Sequence, residues 1–437
     1  SGIIMAKGGI SKKLFDVFAY FLGKFTAGMP CAVIVTCLFY GAISGSAPAT
    51  VAAVGSMTIP ILTTLGYDLT FSTAIVAVAG GLGVIIPPSI PFIMYGMASG
   101  ASVSDLFLAG IVPGLMIGLL LMLYAIYHCK RYGEEREKIY AEVKTLHDKG
   151  LLRVLSESFF ALLSPVIILG CIYSGVASPT EAAVISVFYA LIISLFVYRS
   201  IRIRDIWSIL VEAIRTFTPI LFILAASTAF SRVLTLMQVP QTVSEFILNN
   251  FHSPVAILLI INVFLLIVGM VMDTTPAILI LTPILLPIIQ AIGMDPIQFG
   301  VIMVVNLAIG FVTPPIGVNL FVASSLTEVP VMQIAKKAMP MIGFFLVKAG
   351  GALIDNMAIL FVIGVGVGMS DKNDGTGGIA ALASWLMMTT LLSTKFVTVI
   401  IPSIADSATK TLAFNKIENP FIGILAGIIL SLIHISE

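Results

Sequence analysis

Charge is scarce in this 437-residue chain. Only 10% of its residues are Asp, Glu, Lys or Arg, against about 25% in an average soluble domain, which excludes a water-solvated globular protein. The 23 basic and 22 acidic side chains leave a net charge of +1, so no field attracts a polyanion and no nucleic-acid partner is expected. Cysteine is limited to Cys31, Cys37, Cys129 and Cys171. None lies in a CxxC spacing or beside a histidine cluster, so these read as small buried hydrophobes rather than a metal or redox centre. No Ser, His, Cys or Asp constellation has catalytic spacing, and no enzyme is expected.

What fills the chain instead is apolar sequence, 59% of the total. The runs are helical in length and lack the polar alternation of barrel strands. A backbone in lipid must satisfy its own hydrogen bonds, which leaves an all-α integral membrane bundle. Within it a pattern occurs twice. Gly66-Tyr67-Asp68 is followed by Gly83 and Pro87-Pro88, and Gly293-Met294-Asp295 by Gly310 and Pro314-Pro315. The offset is constant, since 293 − 66, 310 − 83 and 314 − 87 all equal 227, and it also pairs Pro60 with Pro287. Apolar segments interrupted by Gly and Pro at corresponding places point to a secondary transporter built from repeats, with its site at the breaks.

Basic residues set the expected orientation, because Lys and Arg near span ends mark the cytoplasmic side. Four clusters are placed there: Lys7, Lys12, Lys13 and Lys24; the segment from Lys130 to Arg153; Arg199, Arg202 and Arg204; and Lys336-Lys337. Threading between them predicts a re-entrant hairpin (28 to 43 and 47 to 64), a broken span (69 to 98) and a return (104 to 127). An out-and-back pair follows (157 to 176 and 180 to 198), then a short interfacial helix (200 to 213) anchored by Trp207 and a span from 214 to 236. A second hairpin (254 to 270 and 276 to 291) and a second broken span (296 to 325) complete the pattern. The repeats, about 13–127 and 214–325 around the linker hairpin 157–198, then have opposite orientation.

A helix broken inside the bilayer exposes N–H groups at one new end and carbonyls at the other, which need water, protein or an ion. Unwound carbonyls with a few hydroxyls suit Na⁺, and helix N-termini suit a carboxylate. The first half offers Ser44 and Ser46 at the hairpin tip against residues 80–89. The second offers Asp273, Thr274 and Thr275 against residues 308–315, with Asn306 and Asn319 nearby. Alternatives stand beside each. A Gly-Pro break can be an ordinary kink, and a Ser or Thr hydroxyl can bond its own backbone. Asp273, a carboxylate flanked by apolar spans, is by default a functional residue, unless the tip is wet enough to hold an ordinary charge. Arg232 is read as interfacial, Glu181 as complementing a helix dipole, and residues 130–153 as a solvated helix.

The strings GAISGSAPATVAAVGSMTIPIL (41 to 62), GVIIPPSIPFIMYG (83 to 96), LFLAGIVPGL (106 to 115), SGVASPTEAAVISVFYAL (174 to 191), MDTTPAILILTPILLPI (272 to 288) and NLAIGFVTPPIGVNLFVAS (306 to 324) resemble the large membrane subunit of tripartite ATP-independent periplasmic (TRAP) transporters, collinearly over residues 1–345. The resemblance implies an inverted-repeat, elevator-type transporter of the bacterial inner membrane, with two re-entrant hairpins and two broken helices. It implies Na⁺-driven import of an organic acid anion, such as a C4-dicarboxylate or sialic acid, with no cofactor beyond the coupling ion. An external periplasmic solute-binding protein delivers the substrate and a small membrane subunit supports the large one. Carried onto matching positions, one Na⁺ site uses Ser44, Ser46, Gly83, Ile86 and Pro88, and a second Asp273, Thr274, Gly310 and Thr313. Substrate lies near Ser46, Ser89 and Asp273.

The chain opens on Ser1-Gly2-Ile3-Ile4-Met5 as though in mid-helix, and a fragment lacking the family's first spans is expected. Beyond residue 345 the resemblance changes. Residues 346–430 resemble the membrane domain of phosphotransferase-system permeases for glucose or N-acetylglucosamine, without the sugar-contacting or phosphorylated parts, and a chimera made in assembly is the expectation. Residues 431–437 resemble translated adapter sequence. The competing functions are a phosphotransferase sugar permease and an uncoupled membrane channel or scaffold.

Overall fold

A computed structural model describes residues 2–251 and 253–355, and the described residues form seventeen α-helices with no strand among them. Up to Leu346 they pack as one compact unit, Tyr173–Gly175 excepted. Helix α1 (Gly2–Lys7) and α2 (Ile10–Leu22) meet at Gly9, whose φ of 71° lets the chain turn. Helix α2 buries Ile10, Leu14 and Val17, the i, i+4, i+7 spacing of one helical face. Helices α3 (Gly28–Ser44) and α4 (Ala47–Thr64) make the first hairpin. The reversal is set by Gly45 (φ 64°), whose N–H donates to Gly41 O at 2.8 Å, and by Pro48 at the second position of α4.

The repeated Gly-x-Asp element starts the next helix. Gly66 takes φ 92°, and the Asp68 carboxylate accepts from Phe71 N at 2.8 Å to cap α5 (Leu69–Gly80). Helix α5 tightens into a 3-10 turn, Gly81–Val84, and residues 85–89 leave helical geometry before α6 (Ile90–Ser99). Helix α7 (Val103–Tyr132) is the long return, and the charged segment 130–153 is not one helix but the end of α7, the separate and largely exposed α8 (Arg136–Asp148) and the start of the next helix, divided at 133–135 and 149–150. Helix α9 (Leu151–Tyr173) and α10 (Pro179–Ile192), which ends in a wide turn at Ile193–Val197, form the central pair. At the start of α10, Ser178 N donates to Glu181 Oε2 at 2.8 Å while Glu181 N donates to Ser178 Oγ, so Glu181 closes a capping box.

Residues 200–236 depart from the expected division. The structure has one uninterrupted helix, α11 (Ile203–Leu236), rather than a short interfacial helix and a separate span. No glycine and only Pro219 lie between 201 and 236, so the change from charged to apolar sequence near 214 is a change of surroundings, not of backbone conformation. The chain then bends by 63° into α12 (Val239–Asn250), an element the threading left unassigned.

The second hairpin is α13 (Pro254–Val271) with α14 (Thr274–Ala291), followed by α15 (Pro296–Gly310), a break at 311–317, α16 (Val318–Thr327) and α17 (Val331–Asp355). Helices α4 and α14 differ by 227 at both ends (274 − 47 and 291 − 64). Gly293 has φ 78° and Asp295 caps α15, accepting from Ile297 N at 2.7 Å and Gln298 N at 3.3 Å. Pro87-Pro88 and Pro314-Pro315 are both cis. Among the described residues six helices are long and apolar enough to cross a membrane, or seven if the bent Leu221–Leu236 and Val239–Asn250 pair is one span. The segment expected to resemble a phosphotransferase permease lies, beyond residue 355, outside the described residues.

Candidate transport site at the paired helix breaks

At the first tip the hydroxyls form a closed set. Ser44 Oγ is 2.9 Å from Thr50 Oγ1 and donates to Ser46 O at 3.2 Å, while Thr50 Oγ1 is 2.8 Å from the same carbonyl. Thr50 is fully buried and was not among the residues singled out from sequence, although it stands one helical turn after Ser46. The tip lies directly on the first break. Ile90 N donates to Gly45 O at 3.3 Å, and a Cβ added at Gly45 would lie 2.7 Å from Pro88 O. Added at Gly83, a Cβ would lie 2.5 Å from Thr50 Oγ1 and 2.9 Å from Ser46 O; at Gly41 it would lie 2.7 Å from Gly83 Cα. Ser44, Ser46, Gly83 and Pro88 are therefore neighbours. Ser89 is fully buried, its hydroxyl donating to Val84 O at 2.5 Å and accepting from Phe92 N, which caps α6 and satisfies a carbonyl of the break. The Ile86 side chain is directed at α7, where a Cβ added at Gly114 would meet it.

The second tip repeats the plan with different chemistry. Ile316 N and Gly317 N both donate to Met270 O, at 3.2 and 3.4 Å, and so hold the break against the hairpin. Gly310 and Gly269 are in backbone contact, so a Cβ added at Gly310 would lie 2.6 Å from Gly269 O. Asp273 accepts from Thr274 Oγ1 at 3.1 Å and Thr275 N at 3.5 Å, so its carboxylate caps α14. Thr313, in the break, bonds back onto the end of α15, with Oγ1 donating to Ile309 O at 2.8 Å. One turn below the break, Asn306 Nδ2 donates to Asn262 Oδ1 at 2.6 Å and ties α13 to α15.

The two breaks face each other. Asn319 Nδ2 donates to Ala77 O of α5 at 3.1 Å, and Tyr95 Oη donates to Pro296 O of α15 at 2.6 Å. An apolar cavity of about 30 Å³ lies between them, lined by Gly81, Leu82, Ile85, Ala308 and Val312 among others. Among the described residues no hydrogen bond joins Ser46, Ser89 and Asp273 to one another. Backbone carbonyls and hydroxyls, hard-oxygen groups that suit alkali cations rather than soft metals, are gathered at each tip separately, whereas the cavity between the breaks is lined by apolar side chains.

Residues 1–354 match the family model of the Tripartite ATP-independent periplasmic transporter, DctM component. The chain belongs to this family. It is 46% identical over 346 residues to the isethionate TRAP transporter permease protein DctMQ of Oleidesulfovibrio alaskensis, covering 79% of this chain and 54% of that protein. It is 40% identical to the C4-dicarboxylate TRAP transporter large permease protein DctM of Pseudomonas aeruginosa, covering 79% of this chain and 80% of the relative. The sialic acid TRAP transporter large permease protein SiaM of Vibrio cholerae is 32% identical, with 82% and 83% covered. The chain thus spans about half of the first relative and about four fifths of the others. The family match extends to residue 354, past the expected end near 345. Like other DctM components, the chain is a permease subunit and not an enzyme, and a multi-pass protein of the bacterial inner membrane.

Proposed function

We propose that this DctM-family chain is the ion-coupled permease of a TRAP system that imports an organic acid anion together with Na⁺. The observation that carries the reading is that each hairpin tip rests on its own Gly-Pro break, twice, at a sequence offset of 227. Ser44, Ser46 and the carbonyls of Gly83, Ile86 and Pro88 form the first Na⁺ site, to which Thr50 contributes by fixing the Ser44 hydroxyl. Asp273, Thr274, Gly310 and Thr313 form the second. The carboxylate substrate sits near Ser46, Ser89 and Asp273, its charge offset by bound cations, so the anion docks well only after Na⁺ has ordered the tips.

The chain's relatives carry isethionate, C4-dicarboxylate and sialic acid in their names, which supports a carboxylate or sulfonate anion as cargo. A small membrane subunit and a periplasmic solute-binding protein complete the system. Opposite orientation of the repeats is supported by one contact: Lys337 Nζ, near the start of α17, lies 5.3 Å from the ring of Tyr132, the last residue of its counterpart α7. The hairpins and broken helices of the two repeats then carry substrate by elevator movement against the remaining helices. Uptake into proteoliposomes holding the full subunit pair, with binding protein outside, tests this. Replacing external Na⁺ by choline abolishes uptake if the reading is right, and uptake that persists in choline refutes it.

A further inference from the structure

Where α5 tightens into its 3-10 turn, Gly81 N donates to Val78 O and Ala79 O instead of reaching back four residues to Ala77 O. The Ala77 carbonyl thereby loses its helical donor inside the protein. The replacement comes from 242 positions away, as the side-chain amide of Asn319 donates to it at 3.1 Å. Asn319 is fully buried in the first turn of α16, and its own N–H donates to Phe311 O at 3.0 Å, across the second break. One residue therefore closes the second break through its backbone and completes the first through its side chain. Its other amide atom, Oδ1, is buried without a partner, so the side chain is held by the Ala77 bond alone. The 227 offset puts Phe92 at the corresponding position of the first repeat, and Phe92 has no such amide, so this link has no symmetric counterpart.

We propose that Asn319 is a positioning residue that couples the two helix breaks, so that the conformation of one sets the order of the other. The coupling is a property of the fold itself, and it also sets the cooperativity of the cation dependence proposed above, on which that second consequence rests. The Asn262–Asn306 pair makes a comparison, since it joins α13 to α15 within one repeat.

The test uses the full chain, in detergent with its small subunit, as wild type, Asn319→Leu and Asn306→Leu. Backbone hydrogen exchange is followed in the segments 78–86 and 311–317. Asn319→Leu is expected to speed exchange in both segments by about tenfold or more, whereas Asn306→Leu speeds it only in the second repeat. Exchange in 78–86 that stays at the wild-type rate in Asn319→Leu overturns the proposal, as does an equal rise there in Asn306→Leu. If the leucine variant does not fold, Asn319→Ala is read in the same way. In Na⁺ titrations of uptake, Asn319→Leu is expected to lower the Hill coefficient toward one. Helix α16 packs directly on α4 and α5, so Leu320→Ala, which opens space at a fully buried position of α16 but keeps the amide, is the packing control, and a rise in 78–86 as large as that of Asn319→Leu overturns the proposal. The exchange arm contains no Na⁺ step, so failure of the Na⁺ reading leaves the coupling to be decided by exchange alone.

Discussion

Replacing Gly83 by alanine tests whether the hairpin tip must rest on the break. The added Cβ would lie 2.5 Å from Thr50 Oγ1 and 2.9 Å from Ser46 O, roughly 0.6–1 Å inside an ordinary separation of about 3.5 Å. Thr50 cannot swing away cheaply, because its hydroxyl is engaged by Ser44 Oγ and Ser46 O and the residue is fully buried. Overpacking of this kind costs about 1–3 kcal/mol. At about 1.4 kcal/mol per factor of ten, that is a loss of about 5- to 140-fold in any equilibrium that requires tip and break to meet, the proposed Na⁺ binding included. Thr50→Ala removes one of the two obstructing oxygens while giving up hydrogen bonds worth about 0.5–1.5 kcal/mol each. The double variant should therefore lose less than the sum of the singles, with a coupling of about 0.5–3 kcal/mol. Gly310→Ala has no such rescue, because the Gly269 atoms it meets are backbone. The assay is the Na⁺ midpoint of uptake in proteoliposomes, with thermal unfolding of the same preparations to confirm folding. Wild-type midpoint and uptake in Gly83→Ala would falsify the argument.

Three further outcomes follow from contacts away from the tips. Asp68→Ala and Asp295→Ala each lose an N-cap and should lower stability by about 0.5–2 kcal/mol, whereas the asparagine variants, equally good caps, should be close to neutral; thermal unfolding separates the two pairs. Glu134 Oε1 accepts from Tyr67 Oη at 2.7 Å and Ala27 N at 2.9 Å, so one carboxylate pins the segments before α3 and α5. Glu134→Ala strands both donors at about 1–3 kcal/mol and should raise tryptic cleavage between Lys130 and Lys149, with Glu134→Gln intermediate. Burial raises the Asp16 carboxyl above its ordinary 3.8, opposed by Lys12, Lys149 and Lys13. The folded state then holds that proton more tightly, so the charged form costs stability above the folded value and nothing below 3.8. Asp16→Asn should be more stable than wild type at pH 7, and the difference should vanish as the pH falls through 3.8.

The parts of this fold that could be read from sequence are those governed by local backbone chemistry. Gly66 and Gly293 adopt positive φ, and the aspartates two residues later cap the next helix, so the repeated Gly-x-Asp is a stop and a start and needs no distant partner. The tips and breaks follow from Gly and Pro by the same rules. Where the sequence changes hydropathy without a breaker, as near residue 214, it invites a division that the backbone of α11 does not make. Thr50 escaped notice because its role depends on the hairpin turn that brings its hydroxyl back over Ser44.

The two halves are less alike than their spacing implies. The first tip is neutral, with Ser44, Ser46 and Thr50 satisfying one another, while the second carries a carboxylate engaged in capping α14. Within the second repeat an Asn262–Asn306 bond joins hairpin to broken helix, where the 227 offset puts Val35 and Ala79 in the first. An amide pair in an apolar setting fixes a distance and a register that two aliphatic side chains leave to packing. Both tips meet their breaks through a backbone hydrogen bond and a close glycine approach, Ile90 N to Gly45 O with Gly41 against Gly83 in the first and Ile316 N to Met270 O with Gly269 against Gly310 in the second, and only the second repeat adds an amide pair. Asn319 extends the directional network into the first break through Ala77. The spacing of the repeats cannot reveal this link, because it is carried by a side chain that has no counterpart at Phe92, and any coupling through it acts equally in both directions.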